Sequence, residues 1–482
     1  MIKTDIQMLK KRRTKIVATV GPASADEECV AALIDAGVDM FRLNMSHGDQ
    51  EGHADVFHRI RRAADNAGRA VAILADLCGP KIRVGHFANG GIDLIDGEPV
   101  TITVRDVDGA PGLIPSQYDA RADDLEVGAR VLLADGVMEL KVLAVEGTEV
   151  RCEVVQGGHL TARKGINLPD VRVSAPSLTP KDRSDAQFAL SLGVDYLALS
   201  FVRSAADLNE LRTLVDAHPH AASLIAKIER PEALQDIDAI VEAADAIMVA
   251  RGDLGVELPP EQVPAIQQQL VDRARIYNRP VIIATQMLES MIENARPTRA
   301  EVTDVSHSVF VGADAVMLSA ETAAGAFPVE AVQMMDRIAR QAEAHLWRQE
   351  GFESLTRELN DDTLTFGDAI ARAMSTMSRD LGVRAVVTFS ESGMSALTMS
   401  AARPAAPIVA VSSNAATSRR LALCWGKLPV EVDMDDLDHQ PQIARQLVHD
   451  AGLSQRGQYL LMVKGFHSDP DKSTPTITLL KA

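Results

Sequence analysis

The chain has 482 residues, of which 46% are hydrophobic and 24% are charged, and its formal net charge is −18 at pH 7. This length predicts two to four domains rather than one compact core, and the acidic balance argues against nonspecific binding to nucleic acid, which needs a basic surface. A protein with this net charge can still bind small anionic ligands, because a local cluster of cations can reverse the electrostatic field inside a cleft.

Cysteine usage and hydropathy indicate a cytoplasmic protein with neither disulfides nor membrane segments. The four cysteines are widely spaced and form no Cys-x-x-Cys pair, which favours reduced thiols over a disulfide framework or a structural zinc site. The apolar run after the basic start covers only residues 16–20, which is too short for the core of a signal peptide. No apolar run approaches the roughly 18–20 residues of a membrane span.

Short apolar runs recur eight times in the first two thirds of the chain, and segments with helical spacing separate most of them. The predicted strands are residues 15–19, 40–44, 71–76, 196–201, 224–229, 246–250, 280–285 and 315–319. The predicted helices include residues 27–36, 53–67, 185–192, 231–243, 260–277 and 300–311. A strand and a helix repeated in this way, with nearly continuous apolar strands, are typical of a parallel (β/α)8 TIM barrel of the α/β class.

One gap between the predicted barrel strands is too long for a single helical crossover. More than a hundred residues separate the third strand from the fourth, and residues 96–157 alternate apolar and polar positions between Gly and Asp-Gly turns. This pattern predicts a small antiparallel β domain inserted after the third strand. Because the catalytic rim of such a barrel lies at the carboxyl ends of its strands, the insertion is placed to act as a lid.

Beyond residue 362 the alternation of helix and strand resumes. The predicted helices include residues 366–381 and 441–451, and the predicted strands are residues 385–389, 407–411, 430–432, 459–463 and 476–480. We therefore predict a separate open α/β domain at the C-terminal end of the chain.

Lys227, Glu229 and Asp253 are the strongest indication of function. Lys227 and Glu229 end one apolar run two residues apart, so their side chains share a face of the strand. Asp253 follows the next apolar run, and polar residues end the other predicted strands as well. Two carboxylates and an ammonium are costly to place at buried strand ends without a ligand. A divalent cation bound by oxygens, beside a phosphate held by the lysine, would account for all three.

Several long motifs, in order and on the proper strands, resemble those of the pyruvate kinase family along essentially the whole chain. They read KIVATVGPAS (15–24), FRLNMSHG (41–48), IMVARGDLG (247–255), ATQMLESM (284–291), PTRAEVTD (297–304) and MLSAET (317–322). The resemblance implies a catalytic barrel at 1–83 and 175–345, an inserted lid domain at 84–174 and a C-terminal regulatory and oligomerisation domain at 360–482. It also implies a cytoplasmic homotetramer that transfers the phosphoryl group of phosphoenolpyruvate to ADP in glycolysis, giving pyruvate and ATP.

The same resemblance implies which residues bind the phosphate and the metal. Arg42 and Lys227 are expected to hold the transferring phosphate, which a guanidinium can contact through two N–H groups. Glu229 and Asp253 are expected to bind Mg²⁺ or Mn²⁺, which would stabilise the charge of the enolate oxygen. Catalysis by such a site consists mostly of positioning and neutralisation.

Further roles follow from the resemblance for the rest of the substrate and for the nucleotide. Thr285 and Ser319 are expected to deliver a proton to the methylene carbon, and Gly252 and Asp253 to offer backbone N–H groups to the substrate carboxylate. The residues expected around ADP or ATP are Thr19, Pro22, Asn44, His47, Arg83 and Lys164. Lys164 belongs to the lid, so closure of the lid would carry its charge to the phosphates.

The chain departs from the family pattern at its monovalent-cation site. Asn44, Ser46, Asp76 and Leu77 align with that site, but Lys81 stands where the family usually has glutamate. A tethered ammonium can supply the positive charge that a bound K⁺ would supply. We therefore expect turnover that does not require K⁺.

The C-terminal domain also departs from the family pattern, in the loop that binds an effector in other members. Residues 390–395 read SESGMS, and Met394 supplies no charge where Lys or Arg often assists. The resemblance implies an effector site for a phosphorylated sugar or nucleotide, whose identity the residues do not give.

Two other functions are weighed against phosphoryl transfer to ADP. The first is a Mg²⁺-dependent barrel lyase or aldolase acting on phosphoenolpyruvate or pyruvate, but such an enzyme has no second phosphate acceptor, and Lys164 argues against it. The second is a scaffold or effector-binding protein with an inactive barrel, against which the intact catalytic residues argue. Taken alone, Lys227, Glu229 and Asp253 would also be compatible with a buried structural ion network.

Overall fold

The computed structural model describes residues 12–116, 124–169, 171, 174–349, 352, 365–433, 439–466 and 473–482 of the chain. Residue 360, where we predict the C-terminal domain to begin, lies outside these ranges. None of the helices in the described ranges is both long and apolar enough to cross a lipid bilayer.

The first part of the barrel consists of three parallel strands and two connecting helices. The strands are β1 (Lys15–Thr19), β2 (Met40–Asn44) and β3 (Ala72–Asp76), and the helices are α1 (Glu27–Ala36) and α2 (Gln50–Asn66). Helix α1 begins where the side chain of Asp26 accepts a hydrogen bond from the N–H of Cys29, and it ends at Gly37, whose φ of 117° suits glycine. Capping residues therefore set both ends of this helix.

The insertion after β3 is a separate β domain, as predicted. Its strands are β4 (Gly91–Leu94), β5 (Pro99–Thr103), β6 (Leu113–Pro115), β7 (Arg130–Leu133), β8 (Met138–Glu146), β9 (Glu149–Gln156), β10 (Gly158–Thr161) and β11 (Ile166–Asn167). One sheet has the order β11-β7-β8-β9-β5-β6, and β10 pairs with β4 in a second sheet. The strand pairs are antiparallel except β5 with β6. Residues such as Val131, Leu140 and Val150 give the domain a core of its own.

The chain then completes the barrel. The remaining strands are β12 (Tyr196–Leu199), β13 (Ser223–Ile228), β14 (Ala246–Ala250), β15 (Val281–Ala284) and β16 (Ala315–Leu318). The helices around them are α3 (Pro180–Leu192), α4 (Ala205–Asp216), α5 (Glu232–Gln235), α6 (Ile237–Ala243), α7 (Arg251–Glu257), α8 (Val263–Ile276), α9 (Arg299–Phe310), α10 (Ala320–Ala323) and α11 (Pro328–Gln349). The parallel strands close in the order β1-β16-β15-β14-β13-β12-β3-β2, which confirms the predicted barrel.

Several element boundaries differ from the predicted ones, including a set of strand ends at the catalytic rim. Four strands end one or two residues early, at Leu199, Ile228, Ala284 and Leu318. Phe201 and Thr285 have φ values of 56° and 71°, which a β-strand does not accommodate. The single helix predicted at 231–243 is wrong, because the backbone of Asp236 (φ −113°, ψ 22°) divides it into α5 and α6.

The C-terminal part of the chain forms the open α/β domain that we predict. Its helices are α12 (Phe366–Asp380), α13 (Met394–Ala401), α14 (Ala415–Leu421) and α15 (Gln440–Asp450), and its strands are β17 (Val386–Phe389), β18 (Ile408–Ser412), β19 (Lys427–Glu431), β20 (Tyr459–Lys464) and β21 (Thr476–Lys481). The sheet has the order β19-β18-β17-β20-β21, and β21 runs antiparallel to its neighbour. Two apolar clusters pack against this sheet.

A buried ion pair joins the C-terminal domain to the base of the barrel, the end opposite the catalytic rim. Arg403 donates to the two carboxylate oxygens of Asp314, at 2.9 and 3.1 Å, and to the backbone oxygen of Gly312 at 2.8 Å. Its guanidinium also lies over the ring of Trp425, 4.9 Å from the ring centroid. The side chain of Arg403 is only 1% exposed, so the pair is removed from solvent.

We predict that Arg403→Met lowers the free energy of unfolding by about 3–5 kcal/mol, because it leaves the carboxylate of Asp314 buried without its partner. Urea unfolding followed by tryptophan fluorescence measures this loss. The control is Arg62→Met, in an exposed pair with Glu27, which should change the free energy by no more than about 0.5 kcal/mol. A loss below about 1 kcal/mol for Arg403→Met would show that the pair does not stabilise the junction.

Candidate active site

A cavity of about 120 Å³ lies at the carboxyl ends of the barrel strands. It brings together most of the residues that we predict for the site. Those that line it are Arg42, Asn44, Ser46, His47, Asp76, Leu77, Lys81, Arg83, Lys227, Glu229 and Asp253. Ser200 and Phe201, which follow β12, also line it.

The ammonium of Lys227 lies at the centre of a charge cluster in this cavity. Its Nζ is 2.9 Å from Oε1 of Glu229 and 3.3 Å from Oδ1 of Asp76, and it donates to the hydroxyl of Ser200 at 2.6 Å. The hydroxyl of Ser200 in turn donates to the backbone oxygen of Leu77 at 2.7 Å. Lys227 and Glu229 therefore lie on one face of the chain at the end of β13, as their spacing predicts.

The charges in this cluster stabilise one another. Burial acts to lower the pKa of Lys227, but the carboxylates of Asp76 and Glu229 outweigh it and raise that pKa above its ordinary value. Burial acts to raise the pKa of Asp76, but Lys227 and Arg42 together lower it below its ordinary value. The ammonium of Lys227 and the carboxylate of Asp76 are consequently both charged at neutral pH.

Arg42 approaches the same carboxylate from β2. Its Nε donates to Oδ2 of Asp76 at 2.6 Å, and its Nη1 donates to the hydroxyl of Thr19 at 3.1 Å. The hydroxyl of Thr19 donates to the backbone oxygen of Leu318 at 2.9 Å, which ties the end of β1 to the end of β16. Asp76 thus holds two cations, Arg42 and Lys227, at one wall of the cavity, where an anion can be bound.

Glu229 and Asp253 supply the carboxylate oxygens that a hard divalent cation prefers. Burial raises the pKa of Glu229, and the charge of Asp253 raises it further, against the opposing effect of Lys227. A cation near both carboxylates would relieve this repulsion, so the residues fit Mg²⁺ or Mn²⁺. The described ranges contain no group of three or more His, Cys, Asp and Glu side chains arranged to hold a metal. A cation here would therefore take further ligands from substrate or water.

Thr285 is held in a strained backbone conformation next to the start of α7, the helix that contains Asp253. The φ values of Thr285 and Gln286 are 71° and 53°, and a left-handed residue other than glycine costs on the order of 1–3 kcal/mol. The hydroxyl of Thr285 accepts a hydrogen bond from the N–H of Gly252 at 2.7 Å and donates to the backbone oxygen of Ala284 at 2.6 Å. The Gly252 N–H that we expect to bind a substrate carboxylate is thus bonded to Thr285 in this structure.

Ser319 stands at the end of β16, outside the lining of the cavity. Its N–H donates to the carboxylate of Glu321 at 2.7 Å, and the same carboxylate accepts a hydrogen bond from the N–H of Leu288 at 3.0 Å. This carboxylate connects the end of β16 to the segment that follows Thr285. A part for the Ser319 hydroxyl in proton transfer stays a prediction.

The residues predicted to surround the nucleotide are divided between the rim and the lid. Asn44, His47 and Arg83 line the cavity, whereas Lys164 and Pro22 are exposed outside its lining. Arg83 donates to the backbone oxygen of the residue before Lys164 at 3.0 Å, which connects the rim to the lid. The rim and the lid thus meet where we expect the nucleotide phosphates.

The residues that align with a monovalent-cation site already have protein partners. The carboxylate of Asp76 and the backbone oxygen of Leu77 accept hydrogen bonds from cavity residues. The side-chain oxygen of Asn44 accepts one from the N–H of Ser46 at 3.1 Å. Lys81 is exposed and lines the same cavity, so it adds positive charge there.

Three residues that shape the site receive no role from the sequence. Ser200 and Arg251 are polar residues at strand ends, a signal that marks the rim without identifying their partners. Phe201 contributes a backbone N–H that donates to Oε2 of Glu229 at 2.8 Å, from a residue with a φ of 56°. Nothing in the identity of a phenylalanine indicates this use of its backbone.

Comparison with known proteins gives one consistent result. The family described as pyruvate kinase, barrel domain, matches residues 11–332, and the pyruvate kinase alpha/beta domain matches residues 368–480. The chain is 44% identical to the pyruvate kinase of Geobacillus stearothermophilus, over 98% of this chain and 80% of that protein. It is also 44% identical to the pyruvate kinase of Mycobacterium intracellulare, over 94% of this chain and 95% of that protein.

A solved structure supports the same relationship. The crystal structure of a pyruvate kinase from Cryptosporidium parvum matches with a TM-score of 0.89 and 33% identity, and the match covers 98% of this chain and 97% of that one. The chain therefore belongs to the pyruvate kinase family and is a glycolytic phosphotransferase that moves the phosphoryl group of phosphoenolpyruvate to ADP, giving pyruvate and ATP.

Proposed function

We propose that Arg42 and Lys227 bind the phosphoryl group while it is transferred. The transition state of phosphoryl transfer spreads negative charge over the phosphoryl oxygens, so neutralisation and positioning supply most of the catalysis. A guanidinium and an ammonium that are already held in place need little reorganisation as this charge develops. The observation that carries the proposal is the buried ammonium of Lys227, which Asp76 and Glu229 keep charged at the wall of the cavity.

Glu229 and Asp253 are the residues that would hold Mg²⁺ or Mn²⁺. When bound, the cation supplies positive charge to the carboxylate and enolate oxygens of the substrate. The N–H of Phe201 and the ammonium of Lys227 contact different oxygens of Glu229, at 2.8 and 2.9 Å, and so fix the orientation of its carboxylate. The phosphate site and the metal site would thus share Glu229 and Lys227 as a common wall.

Thr285 is the residue that we assign to the methylene carbon of the substrate. Once the phosphoryl group has left, the enolate needs one proton at that carbon to become pyruvate. The hydroxyl of Thr285 donates this proton, and the proton is replaced from solvent through Ser319. The hydroxyl accepts a hydrogen bond from the N–H of Gly252 and donates one to the backbone oxygen of Ala284, and these two contacts fix its position. The remaining donor for the substrate carboxylate would be the N–H of Asp253.

The nucleotide is proposed to bind where the rim meets the lid. The residues assigned to it are Thr19, Pro22, Asn44, His47, Arg83 and Lys164. Residues 84–174 would act as a lid, and its closure would bring Lys164 to the phosphates and expel water from the site. The contact of Arg83 with the lid backbone supports this placement.

Further proposals concern assembly and regulation. Residues 1–83 and 175–345 would form the catalytic unit, and residues 360–482 would regulate it and join the subunits of a cytoplasmic homotetramer. The loop at 390–395 would bind the phosphate of a sugar phosphate or nucleotide effector. Helix α13 begins in this loop after Gly393, whose φ is 88°. The first N–H groups of a helix can donate hydrogen bonds to an anion, which supports this assignment.

We predict that Lys227→Met lowers kcat by about 10²–10³-fold, because it removes a fixed cation from the transferring phosphoryl group. Pyruvate formation from phosphoenolpyruvate and ADP, coupled to NADH oxidation by lactate dehydrogenase, measures the rate with and without Mg²⁺. Lys141→Met, at an exposed position of the lid sheet, is the control and should retain the parent rate. A folded Lys227→Met variant with the parent rate would refute the assigned role.

We predict that the rate changes by less than about twofold when K⁺ is replaced with tetramethylammonium, because Lys81 supplies the charge in its place. Lys81→Glu should lose activity without K⁺ and recover it when K⁺ is added. Lys141→Glu makes the same change of charge on the exposed face of the lid and should show no dependence on K⁺. A collapse of the parent rate without K⁺ would contradict the proposal.

A further inference from the structure

Arg251 is a largely buried cation to which the proposed reaction gives no role. It is the first residue of α7, directly after β14, and its side chain is 12% exposed. Its Nη2 donates to the backbone oxygen of Thr285 at 2.7 Å, and its Nε donates to the backbone oxygen of Ala284 at 3.3 Å. The guanidinium therefore binds two successive carbonyl groups of the segment that carries Thr285.

These carbonyl groups lie where the chain leaves the barrel. Strand β15 ends at Ala284, and the next two residues, Thr285 and Gln286, have φ values of 71° and 53°. Neither residue is a glycine or an asparagine, so local preference does not favour this conformation, and tertiary contacts have to hold it. Buried backbone oxygens that accept no hydrogen bond from a neighbouring strand also need other donors. Arg251 supplies such donors.

The same contacts determine where the hydroxyl of Thr285 lies. That hydroxyl donates to the backbone oxygen of Ala284, which also accepts from Arg251, and it accepts from the N–H of Gly252, which follows Arg251 in the chain. The guanidinium and the hydroxyl thus share one carbonyl acceptor. A shift of the guanidinium would move the acceptor and the hydroxyl together.

Side chains of the surrounding helices hold the guanidinium of Arg251 in place. Its Nη1 donates to Oδ1 of Asp304 on α9 at 2.6 Å and approaches Oε1 of Gln267 on α8 at 3.5 Å. Its Nη2 also lies 2.9 Å from the sulfur of Met287. The planar fork of a guanidinium can make these contacts together, whereas the single ammonium of a lysine cannot reproduce their geometry.

We propose that Arg251 is a positioning residue for the protonation of the enolate. It would hold Thr285 in the conformation that presents the hydroxyl to the methylene carbon, without contacting the substrate itself. This inference rests on the role proposed for Thr285. Because phosphoryl transfer is assigned instead to Arg42 and Lys227, loss of Arg251 should slow protonation much more than phosphoryl transfer.

Two measurements separate these steps in the full-length enzyme. Single-turnover formation of ATP from phosphoenolpyruvate and ADP reports phosphoryl transfer, and exchange of the methyl hydrogens of pyruvate with D₂O, with Mg²⁺ and ATP present, reports proton transfer at the same carbon. In Arg251→Gln we expect exchange to fall by about 10²-fold while ATP formation and the KM for phosphoenolpyruvate change by less than about threefold. The exchange rate of Arg251→Lys should lie between that of the parent and that of Arg251→Gln.

Arg273→Gln is the matched control, because Arg273 is a half-exposed arginine of α8 that pairs with Asp238. It should leave both rates within about twofold of the parent. An equal loss of exchange and ATP formation in Arg251→Gln would assign Arg251 a general structural role and overturn the proposal, as would an unchanged exchange rate. If Arg251→Gln does not fold, the loss of exchange in Arg251→Lys, compared with its loss of ATP formation, tests the proposal in the same way. An unchanged exchange rate in Thr285→Val would instead refute the role proposed for Thr285.

Discussion

The site depends on the pairing of one buried ammonium, that of Lys227. Asp76 at the end of β3, Glu229 beyond the end of β13 and Ser200 after β12 all contact its Nζ. A buried charge without partners is strongly unfavourable, so this ammonium is stable only where the strands converge as they do here. The barrel therefore positions the cation, and the cation in turn fixes the two carboxylates around it.

This pairing leaves an alternating set of charges at the rim. Arg42 lies on the far side of Asp76, and Asp253 lies on the cavity beside Glu229. Cations at one wall suit a phosphate, and carboxylates at the next suit a divalent cation, so the two ligands would bind against each other. Two residues with a strained left-handed backbone complete the arrangement. The N–H of Phe201 donates to Glu229, and the hydroxyl of Thr285 accepts from the N–H of Gly252. Such strain persists where the surrounding structure stabilises it.

The fold could be predicted because buried parallel strands appear in a sequence as short continuous apolar runs. β1, β2 and β14 have the predicted bounds, whereas β12, β13, β15 and β16 end early at the rim. There the backbone follows tertiary contacts rather than local preference, as the positive φ of Phe201 and of Thr285 shows. The helix predicted at 231–243 fails for a related reason, because its apolar spacing continues through a break in the backbone at Asp236.

The chemistry of the site was easier to predict than its contacts. The spacing of Lys227 and Glu229 places both on one face, and their contact at 2.9 Å follows from it. No spacing indicates that Ser200 would accept a hydrogen bond from Lys227, or that Arg251 would bind the carbonyl groups beside Thr285. These contacts join residues far apart in sequence, so they arise only once the barrel has closed.

Binding of Mn²⁺, followed by electron paramagnetic resonance of the free ion, tests most directly whether the carboxylates beside Lys227 form a metal site. Glu229→Gln and Asp253→Asn keep the shape of the side chains and remove one charge each. Loss of an outer-shell partner of a metal ligand already costs about 10–100-fold in affinity, so loss of a ligand charge should weaken Mn²⁺ binding by at least about 10-fold. Glu153→Gln, on an exposed face of the lid, should leave the binding unchanged. Parent-like affinity for Mn²⁺ in both folded variants would contradict this account of the active site.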